Sequence, residues 1–167
     1  MTQTMRYATA AAEIGRVLIA ATDEGLCWVA LGDSDEALLA ALCAQYPAAQ
    51  LRSADAEFAN WFASALAAFE QPHAACEAPL VLAGSAFQRQ VWQALRDIPA
   101  GQTTSYSRLA AKLGKPQATR AVARACAANR LAMLIPCHRV VAADGALAGY
   151  RWGLARKKAM LARERAA

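Results

Sequence analysis

The spacing of apolar positions along the chain changes between a period of two and a period near three and a half, and those changes mark out its elements. Arg16-Val17-Leu18-Ile19-Ala20 and Leu26-Cys27-Trp28-Val29-Ala30-Leu31 are short, dense apolar runs on either side of Thr22-Asp23-Glu24-Gly25. That is the composition of a hairpin turn, so two antiparallel strands are expected. Helical spacing follows. Asp33 or Ser34 can cap a helix running to about Gln45, which ends before Pro47, and Ser53 can cap another through Phe69. Phe58, Phe62, Leu66 and Phe69 recur at helical intervals in the second and read as core. Gln71-Pro72 breaks the pattern, and a connecting loop leads to Leu80-Val81-Leu82. A domain boundary is placed near Gly84, giving an α/β domain with a small antiparallel sheet over 1–83 and a mainly α domain over 84–167.

In the second half, Ser85 and Gln88 have capping-box spacing ahead of a helix whose stripe is Phe87, Val91, Leu95 and Ile98, closed by Pro99-Ala100-Gly101. A further helix starts at Thr103 or Thr104, carries Tyr106, Leu109, Ala110 and Leu113, and stops at Gly114. Pro116 opens a third, which runs to about Asn129. Two helices joined by a Gly-containing turn have the outline of a helix-turn-helix. At about 100° per residue, Ala118, Val122, Ala125, Cys126 and Asn129 gather on one side of the third helix, and Arg120, Ala121, Arg124, Ala127 and Ala128 on the other. Arginine among alanines suits close approach to a nucleic-acid groove, and equally suits an ordinary solvated face. Asp144-Gly145 signals a tight hairpin after Val140-Val141, which would make the unit winged. The last helix runs from about Gly153 with an inner stripe of Leu154, Met160 and Leu161, and Glu164 is the one acid on that side.

Composition narrows the classes. With 167 residues, 57% hydrophobic and 19% charged, the chain is globular in character. No run is long enough to span a bilayer and Met1-Thr2-Gln3-Thr4-Met5-Arg6 lacks a signal-peptide core, so a cytoplasmic protein is expected. The net charge is +5, with the basic excess concentrated in the second half, as a polyanionic partner would favour. Five scattered cysteines without a Cys-x-x-Cys pair, and two histidines, argue against a disulfide framework and a zinc site. What remains is Cys137 beside His138, between Leu134-Ile135-Pro136 and Arg139-Val140-Val141. A thiol next to an imidazole is a candidate nucleophile, and a buried cysteine is also an ordinary small hydrophobe. A nucleophilic thiol, such as that of a cysteine hydrolase, and a DNA binder without chemistry are both open on these grounds, and Glu164 alone reads as a solvated terminal residue.

Taken together, Ile135-Pro136-Cys137-His138-Arg139-Val140, Ser105-Tyr106, Arg120-Ala121-Val122, Asn129 and Gly149-Tyr150-Arg151-Trp152-Gly153 resemble the O6-alkylguanine-DNA alkyltransferases. The Tyr-Arg-Trp-Gly form is similar to that of the bacterial adaptive-response members. The resemblance implies a ribonuclease H-like first domain and a winged-helix second one. It implies repair of O6-alkylguanine, and of O4-alkylthymine, in duplex DNA by a monomer that needs no cofactor or metal and keeps the alkyl group. By position, Cys137 would accept the group, His138 would take the thiol proton through a water, and Glu164 would orient the histidine. Asn129 would tie the recognition helix to the active-site loop. Tyr106 would donate to the guanine, with Val140 and Tyr150 lining the base pocket. Arg120 would fill the gap left by the rotated nucleotide, while Ala121, Arg124 and Ser107 would contact DNA. Arg124 departs from the small residue common at its position.

Overall fold

The computed structural model describes residues 2–167, which form two compact units. One comprises the chain through Val81 with Arg130–Ala132, the other Leu82–Asn129 with Met133–Ala167. In the first unit, β1 (Thr4–Ala12), β2 (Gly15–Thr22) and β3 (Gly25–Gly32) make an antiparallel meander. A short β4 (Gln50–Arg52) adds to β1 in parallel, in the order β3-β2-β1-β4. The sheet is therefore mixed rather than wholly antiparallel. The extra strands escape a hydrophobicity reading because β1 is mostly alanine, threonine and polar residues, and β4 is exposed throughout. β2 is buried from Val17 onward on both faces of its pleat, with α1 (Asp35–Gln45) and α2 (Ala56–Glu70) packed on the sheet. Gly25, at φ 149°, lies so close to the Pro79 carbonyl that a Cβ there would overlap it.

Ser34 caps α1 as expected, but α2 is capped by Asp55 rather than Ser53. The reason is an ion pair. Arg6 is 2% exposed, and Asp55 accepts both from its Nη1, at 2.7 and 2.8 Å, and from the Phe58 N–H at 2.8 Å. One carboxylate thus serves the cap and the buried cation. Arg6 also donates to the Thr22 carbonyl at 2.8 Å and stacks over Trp61.

The second unit begins with α3 (Ala86–Arg96), whose capping box between Ser85 and Gln88 is formed. Trp92 Nε1 donates to the Ala125 carbonyl at 2.8 Å and so fixes α3 against α5 (Thr119–Ala127). α4 (Tyr106–Lys112) starts at its cap, Ser105, and ends in a Schellman motif: Gly114 is left-handed, with Lys115 N–H on Ala110 and Gly114 N–H on Ala111. Pro116 falls inside the turn that follows, so α5 begins at Thr119, three residues beyond it.

The expected wing is only a turn. Ala142 N–H reaches the Ala146 carbonyl at 2.9 Å, yet no strand returns: β6 (Val140–Val141) pairs instead in parallel with β5 (Thr104–Ser105). α6 (Leu154–Ala166) closes the unit. Its inner side is Lys157, Met160, Leu161 and Glu164, while Leu154, expected there, is 47% exposed in the first turn. Among the described residues no helix is long and apolar enough to cross a membrane.

Candidate active site

Cys137 opens a single 3-10 turn, Cys137–Arg139, rather than lying in an extended segment. Pro136 precedes it, Arg139 N–H bonds the Pro136 carbonyl at 3.0 Å, and Val140 N–H closes on Cys137. The turn gives three consecutive side chains three different directions. All three are buried. Asn129, fully buried just past α5, donates through Nδ2 to the Ile135 carbonyl at 2.8 Å and to Cys137 Sγ at 3.3 Å, so the predicted tie between helix and loop is present.

Glu164 gathers the cluster. His138 Nε2 lies 2.6 Å from Glu164 Oε1, and Arg139 donates to the same carboxylate through Nε at 3.0 and 3.2 Å and Nη2 at 2.9 Å. Arg139 Nη1 meets the Ile98 carbonyl at 2.6 Å. Burial works to raise the Glu164 pKa, but the hydrogen bonds and charges of His138 and Arg139 outweigh it and hold it down at about 2. Burial lowers the His138 pKa, opposed by Glu164. An ionised carboxylate beside a neutral imidazole requires the proton on Nε2. Nδ1 is then a buried base, and it makes no hydrogen bond to another protein group. Burial pushes the Cys137 thiol up to about 11, against the lowering effects of Asn129, Lys157 and Arg151. At neutral pH it is a protonated thiol.

A pocket of about 260 Å³ opens on Cys137, lined also by Cys126, Ala127, Gly149, Tyr150 and Arg151. Of the three residues expected to line a base pocket, Tyr150 does so. Val140 is fully buried, and its carbonyl accepts from Lys157 Nζ at 2.7 Å. The Tyr106 hydroxyl donates to the Ala148 carbonyl at 3.0 Å, and burial raises its pKa to about 12. Lys157 also donates to the carbonyls of Ala148 and Gly149, at 3.1 Å each, joining β6 to the loop before α6. Sequence reasoning missed Lys157 and Arg139. Lys157 was legible in principle, standing three, four and seven residues before Met160, Leu161 and Glu164 on the inner stripe. Arg139 was marked by its place in an apolar run, where a guanidinium needs a partner.

The wheel for α5 holds: Val122, Ala125, Cys126 and Asn129 are buried, and Arg120 and Arg124 are exposed on the other face. Ser107 is exposed on α4, its Oγ 3.1 Å from Ser105 Oγ.

Residues 86–166 match the family of the 6-O-methylguanine DNA methyltransferase DNA-binding domain. The bifunctional transcriptional activator/DNA repair enzyme Ada of Escherichia coli is 51% identical over 96% of this chain, which spans 45% of that protein. The chain thus covers about half the length of this relative and of the Salmonella regulatory protein ada. A methylated-DNA–protein-cysteine methyltransferase of Methanosarcina acetivorans is 34% identical over 94% of this chain and 96% of its own. Among solved structures, Mycobacterium tuberculosis OGT in complex with DNA superposes with a TM-score of 0.78 at 31% identity, covering 98% of this chain and 93% of that one. On sequence and on fold, the chain belongs to the methylated-DNA–protein-cysteine methyltransferase family.

Proposed function

We propose that this chain repairs O6-alkylguanine in duplex DNA by moving the alkyl group to its own Cys137. The observation that carries the reading is the buried series Cys137, His138, Glu164, in which the Nδ1 of a neutral histidine is left as a base beside a protonated thiol. The thiol proton passes to Nδ1 through a water, and Glu164 stabilises the imidazolium that forms. The thiolate attacks the alkyl carbon, the S–C bond forms as the C–O6 bond breaks, and the electron pair leaves with guanine. Tyr106, released from the Ala148 carbonyl, donates to N3 of the departing base. Tyr150 and the backbone at Val140 hold the base. The product is a thioether, which water does not cleave, so each molecule acts once.

The DNA face in this reading is α5. Arg120 fills the space of the rotated nucleotide, Ala121 permits close approach in the minor groove, and Arg124 and Ser107 reach the backbone. That the Mycobacterium tuberculosis relative was solved in complex with DNA supports DNA as the partner, and the exposed arginines of α5 support this face. Residues 1–83 act as a ribonuclease H-like supporting domain and 84–167 as a helix-turn-helix domain that binds DNA as a monomer. Five free cysteines suit the reducing cytoplasm.

The test is stoichiometric. Duplex carrying O6-methylguanine, in excess over protein, should lose one lesion per protein molecule and then no more. Continued turnover, or no loss, would contradict the reading.

A further inference from the structure

The pocket that holds Cys137 contains a second thiol for which the repair chemistry has no use. Cys126 lies in the last turn of α5, and Cys137 opens the 3-10 turn, so the two come from different elements. Asn129 joins them. Its backbone N–H donates to the Cys126 carbonyl at 3.2 Å, and its Nδ2 donates to Cys137 Sγ at 3.3 Å. Both thiols are free, and both are buried from bulk solvent while facing a common cavity of about 260 Å³. A water occupies about 30 Å³ of liquid, so the space admits a group much larger than a solvent molecule.

We propose that Cys126 and Cys137 form a two-thiol site that captures a trivalent arsenical in a single chelate. The two sulfurs come from a shared cavity, and a trivalent arsenic carrying one aryl group is satisfied by two. Soft thiolate donors prefer soft, thiophilic centres. With an aryl arsenoxide, two As–S bonds form, the As–O bond is lost, and both thiol protons leave with the oxygen as one water. No redox change is needed. Once the first As–S bond has formed, closure of the second is intramolecular, at the high effective concentration of a shared pocket.

The electrostatics agree. Burial, with the charge of Cys137 adding to it, raises the Cys126 thiol to about 12, so both groups are protonated thiols at neutral pH, the form whose protons leave with the arsenoxide oxygen. Because one of its sulfurs is Cys137, the occupied site cannot accept an alkyl group. The site itself stands independently of the alkyl-transfer reading.

The test uses phenylarsine oxide and intact-protein mass spectrometry, without DNA. The unaltered protein should carry one adduct that survives excess glutathione and is removed by dithiothreitol. Cys126→Ser, Cys126→Ala and Cys137→Ser should each lose that adduct to glutathione at least about tenfold faster, since a single As–S bond exchanges with a monothiol. The other thiols, Cys27, Cys43 and Cys76, would give only the labile kind. Equal release from the unaltered protein and all three variants, or a persistent adduct that maps to another pair, would overturn the proposal.

Discussion

The two units handle charge differently. The chain through Val81 with Arg130–Ala132 has four basic and ten acidic residues; Leu82–Asn129 with Met133–Ala167 has fourteen and three. Each unit also buries charge, under the same rule that a desolvated ion needs partners. In the first, Arg6 is surrounded by Asp55, Thr22 and the ring of Trp61, and its bonds end in a helix cap. In the second, Arg139, Glu164 and His138 form a similar chain of bonds next to a thiol, and Lys157 stands behind it. One buried network locks a strand to a helix, while the other lies beside a free thiol. Burial of charge marks a site only when its chain of bonds stops at a group that can react.

The sharpest contrast between the networks is to neutralise one carboxylate in each. Glu164→Gln should slow alkyl transfer by about 100-fold or more, the usual scale for a lost acid–base partner, with duplex binding within about twofold of the parent. Asp55→Asn should lower the unfolding midpoint and leave the single-turnover rate of the folded protein unchanged. Equal loss of transfer and DNA binding in Glu164→Gln would make Glu164 structural, like Asp55.

The same carboxylate predicts a pH dependence. Its folded pKa, about 2, lies below the unfolded value of 4.5, so its contribution is complete above pH 4.5 and is lost as the pH falls toward 2. The depression corresponds to about 3 kcal/mol. Urea unfolding should show a steep acid loss of stability between these values, and Glu164→Gln should flatten it. An unchanged slope in the variant would place the acid sensitivity elsewhere.

On the opposite, exposed face of α5 the effects should be smaller and should depend on the substrate. Arg120→Ala should slow repair in duplex by about tenfold while altering reaction with the free base by less than about twofold, the lesion there being already out of a stack. Comparable losses on both substrates would remove Arg120 from nucleotide rotation. Arg124→Ala should change the rate least and reduce the slope of log affinity against log salt by about one. A slope equal to the parent's would show that Arg124 touches no phosphate.

How much of this was legible in the sequence depends on what held each element. Where local chemistry decides, the reading was close: Ser34 and the Ser85–Gln88 box start their helices, and the arginine face of α5 falls where the wheel put it. Where a distant partner decides, it failed. Asp55 rather than Ser53 caps α2 because Arg6 needs that carboxylate, and β1 exists because β2 and β4 pair with it. The wing was misread because β6 found β5 instead of folding back on the chain after Gly145. Cys137, His138, Glu164 and Asn129 were legible as a set through the family motif. Cys126 read as the inner face of a helix, and only the folded chain brings it to the pocket of Cys137, while Lys157 reaches the Val140 carbonyl beside it.

The central claim is most directly tested by the mass of the protein itself after incubation with duplex DNA bearing a single O6-methylguanine, with Cys137→Ser treated alongside. The protein should gain one methyl group per molecule, mapped by peptide fragmentation to Cys137 and missing from the variant. An unchanged mass with the lesion still in the DNA, or a methyl group on any other residue, would contradict it.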